Sequence, residues 1–298
     1  MHATIQRYAP SGAFGPLTLV YALGSLLAAV LLAGVYMLLL DFIPFIYASF
    51  LLTAGFGFAL GVLGSKTVTS GHCRNRTLAL GLGLLLGAVG LAASYGWGFV
   101  LAIHEATSNY PGVTFSELAQ EASFKGWLDA RIEGGWKVGK GSTEISGIGV
   151  MVIWFIEAAI VVGAPVLLSM ADAAVPYCES CQAWTKSQGS SLKGLTREDV
   201  QPVLDRGDLA GLLTLADHPD AGSAHRIQLL RRYCPRCANT AFLSVNEIHT
   251  VVKDGKQQEN KVELLENAIL PPKLSTQYLE RFMKPEQEDA SAASAPAA

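Results

Sequence analysis

Tyr177-Cys178-Glu179-Ser180-Cys181 and Tyr233-Cys234-Pro235-Arg236-Cys237 hold four of the five cysteines of this 298-residue chain, in a repeated Y-C-x-x-C pattern. Two thiols two residues apart share one tight turn, which aims both sulfurs at one point. Two such turns supply the complete tetrahedral coordination of one Zn²⁺. Four protein thiolates leave no position for water, so a metal there is structural and not hydrolytic. A second chemistry stays open. Cys234-Pro-Arg-Cys237 has the C-P-x-C form of a thiol redox motif, in which one thiolate attacks a disulfide. A redox site needs one pair, and two matched pairs favour metal. The expected ligands are Cys178, Cys181, Cys234 and Cys237, with one structural zinc per chain.

Glu157 poses a different problem. It lies in Met151-Val-Ile-Trp-Phe-Ile-Glu-Ala-Ala-Ile160, inside a long apolar run. A carboxylate at membrane depth costs about 2.5–3.5 kcal/mol on insertion scales, so it must find a partner or a proton. One reading is a proton- or ion-linked group, with Gly163 and Pro165 loosening the helix beside it. The other is a buried acid hydrogen-bonded to Tyr21, Ser25, Tyr36, Tyr47 or Tyr95. No second acid or base stands deep in any apolar run, whereas a relay needs several.

The remaining candidates are plainer. His72, Cys73 and His104 lack neighbours at ligand spacing and read as polar loop residues. His218, His225 and His249 read as surface or strand residues. No Ser/His/Asp ordering, phosphate-cradling glycine loop or paired-carboxylate arrangement occurs.

Four apolar segments must carry Glu157: Pro16–Leu40, Phe45–Gly64, Leu78–Ile103 and Ile148–Met170. Each is long enough for a hydrocarbon core of about 30 Å, which takes about 20 helical residues. The break Asp41–Pro44 forces an antiparallel hairpin. The first run is too long for a cleaved leader and reads as an anchor. The loop Ser65–Thr77 carries Lys66, Arg74 and Arg76 and no acid, while the four basic residues of 104–146 are diluted by six acids. That bias predicts both termini in the cytoplasm, at an inner (plasma) membrane. Gly57-x-x-x-Gly61 and Gly83-x-x-x-Gly87 allow close helix approach, within one bundle or between copies.

In the loop 104–146, Thr114-Phe-Ser-Glu117 fits a capping box that opens a helix. Phe115, Leu118, Ala122 and Leu128 then fall near one stripe, predicting an amphipathic helix that caps the outer face, beside Trp127 and Trp136. A ligand-binding lid is the sharper alternative.

Residues 171–283 form the second domain. Ala174–Ser187 reads as strand, knuckle and returning strand. Thr196–Asp199 opens a helix with Val200, Val203 and Leu204 on one face, and Asp208–Ala216 reads as another. Arg226–Tyr233, Thr240–Val252 and Lys261–Leu265 read as strands, with Asp254-Gly255 as a hairpin turn. Ser275–Met283 reads as a last helix. Around its cysteines the chain resembles the zinc ribbon, a small antiparallel sheet clasped by two C-x-x-C knuckles. The resemblance covers about a fifth of the protein and implies the structural zinc but no particular biology. The 52 residues between Cys181 and Cys234 exceed what compact ribbons carry.

The expected architecture is thus an α-helical membrane bundle plus a small α+β zinc-ribbon-like domain. Residues 1–15 form an N-terminal segment, 16–170 the four-helix bundle, 171–283 the cytoplasmic domain with a helical insertion at 195–222, and 284–298 a tail that cannot pack a core. Residues 1–170 balance 8 Lys/Arg against 8 Asp/Glu, while residues 171–298 hold 14 and 17, so the net charge of −3 belongs to the C-terminal part. That sign disfavours nucleic acid as a partner. The pattern points to a non-enzymatic adaptor, assembly or sensing component that meets membrane lipid and a cytoplasmic protein partner, with a homo-oligomer left open. The alternatives are a small transporter or channel using Glu157, and a membrane-bound thiol oxidoreductase.

Overall fold

The computed structural model describes residues 5–43, 46–110, 112–138, 143–218, 224–237, 239–253 and 256–283. The chain divides into two compact units, Pro10–Ala174 and Met1–Ala9 with Val175–Ala298.

The first unit is built on four helices long and apolar enough to cross a membrane: α1 (Leu17–Phe42), α2 (Ile46–Ser70), α3 (Arg76–Asn109) and α6 (Ile148–Ala173). Helix α1 has 26 residues, about 39 Å at 1.5 Å per residue. Its outward side chains are apolar as well: Leu19, Leu23, Leu27 and Leu31, spaced one turn apart, are all exposed. A helix apolar all round fits a lipid surround. Helix α6 packs on α2 and α3, and α1 packs on those same two from the other side. The core between them centres on Ala29, Ala33, Tyr36, Phe56, Leu60, Leu86 and Val161.

Small residues set these distances. A Cβ on Gly83 would lie 2.7 Å from the Cα of Val166, and one on Gly87 would lie 2.7 Å from the Cα of Val162. On α2, Gly57 meets the carbonyl of Ile160, and Gly61 meets Ala164 and Leu168. Both Gly-x-x-x-Gly motifs therefore serve packing inside one bundle, clasping α6 from two sides.

The turns between helices depart from the sequence reading. The loop predicted over Ser65–Thr77 shrinks to Gly71–Asn75, because α2 runs on to Ser70 and Asn75 caps α3 by accepting a hydrogen bond from the Leu78 N–H at 2.9 Å. Cys73 is not a polar loop residue. It is fully buried with Val68, Ala79 and Ala173, and that burial raises its thiol above the ordinary value.

The single helix expected in the long loop is two helices, α4 (Phe115–Glu121) and α5 (Phe124–Gly134). Thr114 and Glu117 make the predicted capping box, but Ala122 turns extended and Ser123 caps a new helix through the Gly126 N–H. A second N-cap thus cuts one apolar stripe in two. A hairpin with no sequence signal follows, β1 (Trp136–Val138) with β2 (Thr143–Ile145). The side chain of Trp136 lies outside the described residues.

The second unit holds a small hairpin of β3 (Tyr177–Cys178) and β4 (Ala183–Trp184), and a four-stranded antiparallel sheet. That sheet is a meander of β5 (Lys186–Lys193), β6 (His225–Tyr233), β7 (Ala241–Lys253) and β8 (Lys256–Leu270). The Asp254-Gly255 turn lies outside the described residues, though Lys253 pairs with Lys256 across it. Helix α7 (Arg197–Asp205) buries Val200, Val203 and Leu204, the face its sequence predicts. The second insertion helix shortens to a 3₁₀ turn, Gly211–Thr214. Helix α8 (Pro272–Phe282) closes the unit, with Tyr278 fully buried and donating a 2.7 Å hydrogen bond to the Leu209 carbonyl. The core joins Leu192, Leu212, Ile227, Leu229, Leu243, Val245, Leu265 and Leu270.

The N-terminal residues are more than a bare segment. Tyr8 donates its N–H to the Asn267 carbonyl at 2.8 Å, and the Gln6 carbonyl accepts from the Ile269 N–H at 2.8 Å. The Tyr8 ring meets Phe242 edge-on. These contacts cover a stretch of the β8 edge, which otherwise offers unpaired backbone groups.

Candidate metal centre and a polar chain in the bundle

Strand register brings the two knuckles together. Lys186 pairs with Tyr233 at one end of the β5–β6 ladder, and Lys193 pairs with Arg226 at the other. The first knuckle ends just before Lys186 and the second begins just after Tyr233, so both lie at the same end of the sheet. The long insertion leaves from the opposite end. Its length therefore has no bearing on the cysteine geometry, and loop closure costs grow only logarithmically with length.

The sulfurs of Cys178, Cys181, Cys234 and Cys237 all lie within 4.8 Å of one another. Cys178 Sγ and Cys237 Sγ are 3.9 Å apart, and all four residues are free thiols. Tetrahedral ligands at about 2.3 Å from a metal stand about 3.8 Å from each other. The cluster fits a metal ion of that kind.

The surroundings hold the sulfurs in place. Cys178 and Cys234 are almost fully buried. The Arg236 N–H points to Cys234 Sγ at 3.4 Å, and the Thr240 hydroxyl stands 3.3 Å from Cys178 Sγ. Arg236 also donates from its guanidinium to the Cys181 carbonyl at 2.9 Å, tying one knuckle to the other. Gln182 takes a left-handed φ of 49° where the first turn ends. Tyr177 crosses Trp184 edge-on at 4.9 Å.

Without metal, Cys181 and Cys237 differ in acidity. The backbone N–H of Asn239, then the Cys181 thiol, lower Cys237 to about 6. Cys181, sharing its proton with Cys237, is pushed up to about 12. A cation at the centre would displace every remaining thiol proton and hold all four as thiolates.

A scan against protein-family models and searches of curated proteins and of solved structures find no match to this chain.

Glu157 joins a three-helix polar chain. Its carboxylate accepts a hydrogen bond from Thr53 on α2. Thr53 is fully buried and lies 2.8 Å from the hydroxyl of Tyr36 on α1. Thr53 has one proton, so donating it to Glu157 makes Tyr36 the donor to Thr53. Tyr36 is in turn stacked on Phe56 with ring centroids 4.6 Å apart. Among the predicted donors, Tyr36 thus acts at one remove, and the direct partner is a threonine that carries no distinguishing signal in the sequence. Ser25 bonds Thr67 instead, Tyr21 is exposed, and Tyr95 packs against Trp154. The side chain of Tyr47 lies outside the described residues.

Among the histidines, His72 takes a left-handed φ of 54° and His104 is exposed. His225 and His249 form a stacked cross-strand pair with centroids 4.0 Å apart, a pairing only the register reveals. The N–H of His218 bonds the Lys193 carbonyl.

Proposed function

We propose that this is an integral membrane protein whose C-terminal domain, on the cytoplasmic side, is stapled by one structural Zn²⁺ and docks a protein partner. The observation that carries the reading is the closed cluster of four sulfurs. Four thiolates in tetrahedral array suit Zn²⁺ before harder divalent ions, and they leave no position for a substrate. A dithiol redox reading is less well supported, since the attacking pair would be crowded by two further thiols at the same centre.

The docking element fits an adaptor. Beyond the His225–His249 pair, β7 and β8 continue as a two-stranded ribbon without β6. Val251 and Val252 are exposed on it, and Val262 is exposed on the adjoining stretch of β8 opposite Glu247, among Lys253, Lys256 and Lys261. Apolar side chains rimmed by charge suit a protein surface. Lys66, Arg74 and Arg76, at or beside the Gly71–Asn75 turn, support placing that turn and both termini in the cytoplasm of a cell with an inner membrane.

Photo-crosslinking from position 251, which shares a sheet face with Val262, in the full-length protein in cells tests this. A discrete adduct lost on Val262→Asp, with one zinc per purified chain, is expected. A chain with no bound metal and no adduct would defeat the proposal.

A further inference from the structure

The bundle end that carries α4 and α5 holds a partly open cavity of about 350 Å³. Its lining spans Leu91 to Glu105 along α3, about 21 Å at the helical rise. Such a volume takes one small organic molecule.

The walls have a distinct chemistry. Tyr95 and Trp154 line one side with rings nearly perpendicular, centroids 5.6 Å apart. Trp127 of α5 lines another, wedged against Phe99 and Phe124. Asp41, Glu105 and Glu157 also face the space, against one cation, Arg131. Three acids and one base give a formal charge of −2. Arg131 stands over the Trp127 ring at 5.6 Å within the same cavity, and its charge is felt at Glu157.

These features select among ligand classes. Carboxylates beside aromatic faces attract an ammonium group through charge and through the ring quadrupole together. Low-dielectric walls strengthen that attraction. An anion would meet net negative charge. A hard divalent ion needs several oxygen ligands gathered at one point. Among the described residues, however, only the four cysteines gather three or more ligand-type side chains that closely. A neutral guest would make no use of the excess negative charge on the walls.

We propose that this cavity binds a monovalent organic ammonium ion with a compact apolar body, its charge set toward Glu157 and its body between Trp154, Tyr95 and Trp127. The inference does not rest on the docking function of the cysteine domain. In this site Thr53 is a positioning residue that fixes the Glu157 carboxylate from behind, while the rim acids Asp41 and Glu105 raise the local concentration of cations.

The experiment uses full-length protein in mild detergent and equilibrium dialysis with 2-phenylethylammonium, with 2-phenylethanol as the near-isosteric neutral probe and phenylacetate as the anion. Saturable binding of one ammonium per chain is expected, at least tenfold tighter than either comparison. Glu157→Gln should weaken it at least tenfold, and the exposed-rim variant Asp41→Asn about threefold. Equal binding of the alcohol, preference for phenylacetate, or no saturable binding of the amine would each overturn the proposal. Should Glu157→Gln not fold, the wild-type comparison and Asp41→Asn decide the matter. Unchanged affinity in a folded Glu157→Gln protein would also overturn it.

Discussion

Cys178 Sγ and Cys237 Sγ stand 3.9 Å apart although they lie 59 positions apart in the sequence. That distance fits two ligands of one tetrahedral ion and is about twice a disulfide bond. Purified protein should therefore contain one zinc per chain by mass spectrometry of the metal. Cys234→Ser should lose at least nine-tenths of it and expose the second unit to protease. A structural zinc contributes on the order of 10 kcal/mol, comparable with the whole stability of a domain of this size.

The unequal thiols predict an ordered chemistry in metal-stripped protein. Cys237, lowered from 9.0 to about 6, is the first thiolate to form as pH rises. Cys181, raised to about 12, is the last of the two. Iodoacetamide should label Cys237 first, with a rate rising through pH 6, while metal-loaded protein resists at all four positions. A depressed thiol stabilises the fold fully above its unfolded value of 9.0, and that contribution fades as pH falls through about 6. Labelling of Cys181 ahead of Cys237 would contradict the arrangement.

Close helix packing separates two glycines of α3. A side chain on Gly83 meets the backbone of Val166, whereas nothing lies within 4 Å of one on Gly81. Gly83→Leu should cost about 1–3 kcal/mol or more through overpacking, seen as a lower melting temperature in detergent. Gly81→Leu should leave that temperature within error.

The Tyr36–Thr53–Glu157 chain gives a paired test. Thr53→Val removes the relay hydroxyl and leaves two polar groups unsatisfied, at about 1–3 kcal/mol. Thr53→Ser keeps the hydroxyl and should recover most of that loss. Thermal unfolding followed by helix content distinguishes them, and equal melting of the two variants would show that the chain carries no weight.

Tyr278 anchors α8 through its hydroxyl at the Leu209 carbonyl. Tyr278→Phe should retain the fold, because ring packing persists, and lose about 1 kcal/mol for the bond. Denaturant titration of the full chain, monitored by fluorescence, would check the magnitude.

Local rules account for the features legible in the residue order alone. The Y-C-x-x-C spacing aims two sulfurs within one turn, and a run of about 20 apolar residues makes a helix long enough to cross a membrane wherever it occurs. The Thr114–Glu117 capping box likewise depends on residues three apart. Distant pairings have other causes. The rotation of the helices, with glycines of α2 and α3 packed against α6, brings Thr53 to Glu157 and turns Tyr21, Ser25, Tyr36 and Tyr95 to other partners or surroundings. The same packing places Cys73 in a core and leaves a cavity between Tyr95, Trp127 and Trp154. Register alone pairs Lys186 with Tyr233 and so joins the knuckles, and the open β8 edge draws in Gln6 and Tyr8 from the far end of the chain. Periodicity shows which side chains share a face; close packing of whole elements determines which face meets which.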